Sequence, residues 1–276
     1  MQMKRLIIYI VILAFAFSLV PQAQAVPQAK SREQFESITY DVYFHLGFIW
    51  AKAGRGTLSL ANETEADGTQ RVHGQLAAKS LSIVEHLMKV RDTLDTWMTP
   101  GYIPREFIKK THEGKYNCTE HNIFQPTWKD ASSDQIPSNV KSSKVKVHRW
   151  RKNGSDPATE TDTIHTVAEP AYDMLSLFYA MRRLNFATMK KGESIKFATF
   201  PGLKKEWYKV EFNGREKISL RNGKKFDTYC VLLTVATKDQ EKTPIKAWLT
   251  TTSDHKPLKV TIGLARIGSI QAEIVE

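Results

Sequence analysis

The sequence predicts a mainly β chain, a curved antiparallel sheet or open, unclosed barrel with one or two short buried helices. Three observations carry that prediction. Alternation of apolar and polar residues recurs along the chain, as in Leu258, Val260, Ile262 and Leu264 set between Lys259, Thr261 and Gly263. A period of two marks a strand with one buried face. Four dipeptides that favour type I′ hairpin turns, Asp67-Gly68, Asn153-Gly154, Asn213-Gly214 and Asn222-Gly223, lie between strand-like segments. A segment following Asp173 is apolar almost all round, as a buried helix is. Wrapping the sheet about that helix satisfies all three.

From the N-terminus, Lys4 and Arg5 precede an apolar run from Leu6 to Val20, and Pro21 and Ala23-Gln24-Ala25 follow. That order is a signal peptide with cleavage before Val26, so an exported, periplasmic or secreted chain is expected. Residues 26–276 then read as a single β-rich domain. Strand character runs over Ile38 to Trp50, Gly56 to Ala61, Arg71 to Ala78 and Tyr102 to Thr111. It resumes over Lys144 to Trp150, Thr161 to Ala168, Ile195 to Phe200 and Trp207 to Phe212. Glu216 to Leu220, Phe226 to Thr237, Ile245 to Thr252 and Leu258 to Ile267 complete the set. Leu81, Val84, Leu87 and Met88 have helical spacing and pass into a strand near Lys89. The main helix is expected over Asp173 to Leu184 with Asp173 as N-cap. The polar stretch Asp130 to Ser143 reads as a loop.

The 276 residues hold 14 Gly and 11 Pro, which excludes collagenous and low-complexity classes. Beyond the first 25 residues no apolar run approaches the roughly 20 residues a membrane helix needs. Removing Lys4 and Arg5 leaves 38 Lys and Arg against 29 Asp and Glu, a net charge of +9. An exported protein with that balance is expected to meet anionic surfaces or to be kept soluble by its lysines. A lipid, a glycan or an envelope protein is the expected partner, with no nucleic acid, and the chain is read as a monomer.

Three passages resemble a bacterial exported family of unknown function, DUF3108. They are Ile38-Thr39-Tyr40-Asp41-Val42-Tyr43 with Ala53-Gly54-Arg55-Gly56, the run Asp173 to Arg182, and Ala247-Trp248-Leu249-Thr250 leading through Asp254 to Pro257 into the strand at Leu258. The resemblance implies an opening strand, a small-residue turn and a second strand, and a closing strand pair. It implies no reaction.

The sequence carries no nucleophile elbow, zinc-protease or phosphate-loop motif. His112, Cys118, Glu120 and His121 are zinc-ligand types, in what reads as a polar turn. Cys118 and Cys230 are the only cysteines, and an oxidising compartment permits either a bridge or two separate buried thiols. No metal or cofactor is expected. Arg182, on an apolar helix, needs either a buried carboxylate such as Asp41 or Asp254, or an anionic ligand. Tyr179 lies one turn before it, and Tyr40 and Phe44 belong to an opening strand apolar on both faces. These four are the candidate ligand residues. The expected function is non-catalytic binding of an apolar or amphipathic envelope ligand or a partner protein. The alternative is a hydrolase of envelope polysaccharide or lipid using paired carboxylates such as Glu169 and Asp173.

Overall fold

The computed structural model describes residues 31–46, 48–86, 89–130, 135–236, 245–264 and 268–275, so the signal segment lies outside the described residues. Among the described residues fifteen strands form one sheet. The first eight are β1 (Ser31–Leu46), β2 (Ile49–Thr64), β3 (Gln70–Ser80), β4 (Arg91–Met98), β5 (Pro104–Glu113), β6 (Tyr116–Trp128), β7 (Val140–Asn153) and β8 (Thr159–Val167). The rest are β9 (Ala171–Tyr172), β10 (Ser194–Thr199), β11 (Glu206–Ser219), β12 (Lys225–Ala236), β13 (Ile245–Thr250), β14 (Pro257–Leu264) and β15 (Gly268–Ile274). Helix α1 (Met174–Met181) lies between β9 and β10.

The first eight strands meander outwards from β1 to β8, and β15 returns to pair with the other edge of β1. The spatial order therefore begins with β8 and ends with β9, and the sheet rolls into a nearly closed barrel with one seam. Polar side chains bind the segment after β10 across that seam. Lys109 Nζ donates to the Pro201 carbonyl at 3.3 Å, Asn122 Nδ2 to that of Phe200 at 3.4 Å, and Thr163 Oγ1 to that of Leu203 at 3.2 Å.

The helix fills the barrel. Asp173 caps it, its Oδ1 accepting from the amides of Leu175 and Ser176 at 2.8 Å while Thr96 Oγ1 donates to its Oδ2. Leu177 and Met181 pack towards β11 to β13, and Leu175 and Tyr179 towards β1 to β7. Tyr179 donates to the Ser59 carbonyl at 2.9 Å and lies over Gly74, where any Cβ would run into its ring.

The structure departs from the sequence reading in several places. The strand expected over Ile38 to Trp50 is a hairpin: Phe48 is 93% exposed at its turn, and Ala53 to Gly56 lie inside β2. Of the segment expected over Leu258 to Ile267, Leu258 to Leu264 belong to β14, and 265–267 lie outside the described residues. Asn213-Gly214 is no turn but a bulge within β11, where the register shifts and Gly214 takes φ +103°. At Asp67-Gly68, Asn153-Gly154 and Asn222-Gly223 only the glycine has positive φ, so none is type I′. Gly68 N bonds Glu65 O and Gly223 N bonds Leu220 O, the pattern of a type I turn closed by a left-handed glycine. Finally, the polar turn expected around Glu120 is the 13-residue strand β6, and the loop from Asp130 ends at Val140, where β7 begins. The helical spacing from Leu81 yields one 3-10 turn, Ser82–Val84, with Leu87 and Met88 outside the described residues.

Candidate functional site

Alternation along β1 sends Ile38, Tyr40 and Val42 into the barrel and Asp41 out of it, where Asp41 pairs with Lys52 and Arg55. Asp41 therefore cannot reach Arg182. The carboxylate that does so is Glu36, which the sequence reading did not single out. Glu36 stands opposite Leu60 on the inner face, in the same alternation as Ile38, Tyr40 and Val42. A bulge just before it leaves Phe35 half exposed and shifts the register of the residues that precede it. Arg182 also donates to the Asp254 backbone carbonyl at 3.0 Å, so Asp254 contributes its main chain to the arginine. The guanidinium lies 5.8 Å from the centre of the Tyr179 ring. Of its two roles, Arg182 holds the ion pair.

Above this pair lies an apolar cavity of about 80 Å³ between α1 and the wall. Tyr40, Leu58, Ala78, Leu94, Phe178 and Ala272 are among the residues that line it. Tyr40 donates its hydroxyl to the Pro257 carbonyl at 2.9 Å, leaving its ring towards the space. Burial holds the Tyr40 phenol far above its ordinary range. Of the four expected ligand residues, Tyr40 lines the cavity. Phe44 lies one pair further along β1, opposite Ala51 and Ile270, and Tyr179 and Arg182 form the structural group beneath.

Beside the cavity the inner wall is polar. Lys109 of β5, Glu120 of β6 and Arg149 of β7 are register partners in one row, and both cations pair with the Glu120 carboxylate. Those charges overcome burial and hold Glu120 below its ordinary value. In the adjoining rows stand Asp92 of β4 with Thr111 and Glu113 of β5. Burial pushes the Asp92 carboxyl up to about 7, partly offset by the His112 amide and Lys109. Burial and then the Asp92 charge push Glu113 up to about 8.

Cys118 faces this layer, while His121 points to the opposite face of β6 and pairs with Glu106 at 2.8 Å. The suspected ligand set is split by the pleat, and no group of three His, Cys, Asp or Glu side chains placed to hold a metal ion is found among the described residues. Cys118 and Cys230 are separate buried thiols, and the bridge is absent. They sit on β6 and β12, which are not neighbours in the sheet. Of the carboxylates Glu169 and Asp173, Asp173 has both oxygens taken, by the helix cap and by Thr96. Among the described residues no helix is long and apolar enough to cross a membrane.

A solved structure described as a β-barrel-like protein of the domain of unknown function DUF1849 from Brucella abortus is similar in fold. The TM-score is 0.51 at 10% identity, covering 87% of this chain and 95% of that one. No protein of curated function matches. The family model for DUF3108, a protein family of unknown function, matches residues 39–275, which takes in β2 to β15, α1, the cavity and the polar layer. The chain belongs to the DUF3108 family.

Proposed function

We propose that the protein is a non-catalytic binder of an apolar or amphipathic molecule, taken up inside the barrel between α1 and the sheet. The cavity carries this reading. Its 80 Å³ exceeds the ~10–15 Å³ that one water needs, yet its walls offer water almost no hydrogen-bond partners. Such a space favours hydrocarbon. Its place of action is the cell envelope or beyond, a reading supported by the basic and apolar segments ahead of Ala23-Gln24-Ala25.

Calorimetric titration with methyl decanoate tests the reading, alongside mass spectrometry of solvent extracts from natively purified protein. Wild-type protein binds the ester. The cavity-filling variant Ala272→Phe weakens binding by about tenfold or more while keeping a cooperative unfolding transition. Wild-type protein that binds no ten-carbon chain and yields no extractable lipid overturns the proposal. N-terminal sequencing of protein from the envelope fraction checks the location, with Val26 the expected first residue.

A further inference from the structure

The cavity explains where a chain would lie but leaves unexplained why charged groups are buried beside it. Asp92 is 1% exposed, Thr111 2% and Glu113 8%. Asp92 Oδ2, Thr111 Oγ1 and Glu113 Oε1 nevertheless have no hydrogen-bond partner in the protein. A buried polar atom left unpaired is costly, and three on two adjacent strands are hard to ascribe to packing. Asp92 stands next to the cavity, and the row of Lys109 borders it too. Asp92 is the register partner of Ala78, and Lys109 that of Leu94, and both Ala78 and Leu94 line the apolar space.

From this placement we infer that Asp92, Thr111 and Glu113 form a polar subsite for the hydroxylated, uncharged head of an amphiphile whose chain occupies the neighbouring cavity. The inference rests on the proposal that the cavity holds an apolar chain. The chemistry of the layer selects the head. Lys109 and Arg149 surround Glu120 and leave that row with one positive charge in excess, which disfavours an ammonium group. An anion would face two carboxyls. A hydroxyl both donates and accepts, and two carboxyls with raised pKa values beside a threonine hydroxyl supply both roles. A head with two or three hydroxyls would satisfy all three orphaned atoms without adding charge to the interior.

Four ten-carbon probes test this by calorimetry at neutral pH: 1-decanoylglycerol, methyl decanoate, decanoate and decylamine. The glycerol ester, with two free hydroxyls, should bind about tenfold or more tightly than the methyl ester, which has none. Glu113→Gln should keep most of that advantage. Glu113→Leu should abolish it, with methyl decanoate affinity staying within about threefold of wild type as the sign that the fold and cavity persist. Equal binding of the two esters, or tighter binding of decanoate or decylamine, overturns the subsite while leaving the cavity reading intact. Failure of every probe, methyl decanoate included, overturns both.

Discussion

Arg182 and Glu36 form a two-pronged ion pair, Nη1 2.7 Å from Oε1 and Nη2 2.6 Å from Oε2, which ties the end of α1 to the first strand. Both side chains are largely buried, at 7% and 13% exposed. Removing one partner strands the other. Arg182→Met is expected to lower stability by about 3–5 kcal/mol in denaturant unfolding. Adding Glu36→Leu should recover much of that loss, since no buried charge is then left alone. A double variant as unstable as the single would contradict the assignment.

On the outer face, His73 is held between Glu63 at Nδ1, 3.0 Å, and Asp95 at Nε2, 2.9 Å, and its ring stacks on Trp97. Both carboxylates accept only, so the ring carries two protons. Burial alone would lower the His73 pKa, but the hydrogen bonds to Asp95 and Glu63 outweigh it and raise it. Burial likewise opposes the bonds from His73 and Arg71 that bring Glu63 down to about 2. The His73 contribution is complete below its ordinary value of 6.5 and is lost as pH rises through the raised one. The Glu63 contribution is complete above 4.5 and is lost as pH falls towards about 2. Denaturant midpoints against pH should show both limbs, and His73→Phe should remove the His73 share of the alkaline one.

The raised carboxyls act in one direction only. Folded Asp92 and Glu113 bind protons that the unfolded chain has released, so stability falls as pH rises from their ordinary values of 3.8 and 4.5 towards about 7 and 8. Each displaced unit is equivalent to about 1.4 kcal/mol. The variants Asp92→Asn and Glu113→Gln should therefore gain stability over wild type at pH 9 relative to pH 4. Parallel wild-type and variant pH profiles would refute this.

Gly74→Ala introduces a methyl group where the Tyr179 ring already lies. A loss of about 1–3 kcal/mol is expected from overpacking, read from the thermal or denaturant midpoint. Glycine at position 68, with open space around its Cβ site, has no such neighbour, and its replacement strains the backbone alone.

Cys118 and Cys230 are buried, and burial raises both thiols above their ordinary value. Native protein should react negligibly with a thiol reagent, and denatured protein should react at two sites. A mass two units lower before reduction than after would instead reveal a bridge.

Strands whose inner face is apolar were legible from pattern alone, as Leu258 to Leu264 and Val231 to Val235 show. Strand β6 was not. Its inward residues Cys118, Glu120 and Asn122 break the alternation, and the groups that make Glu120 tolerable inside, Lys109 and Arg149, lie 11 positions before it and 29 after. The same non-local pairing hid the polar layer. For Arg182 the sequence carried the need for a partner but not its identity: alternation with Ile38 and Tyr40 puts Glu36 on the inner face, yet nothing local shows that α1 ends beside it. Asn213-Gly214 misled for a related reason: its left-handed glycine serves a bulge as readily as a turn.

The pairing of β1 with β15 has a consequence for how the molecule is made. Tyr40 lies opposite Ile274, so the strand that emerges early finds its second neighbour only when nearly all the chain has followed. Closing so long a loop takes on the order of 5 kcal/mol of chain entropy. Until then β1 is a bare edge, open to any strand that arrives first. During synthesis that strand can belong to another copy. A chain cut short before residue 268 would keep its edge permanently uncovered, and is expected to assemble with its own kind rather than remain a stable single barrel.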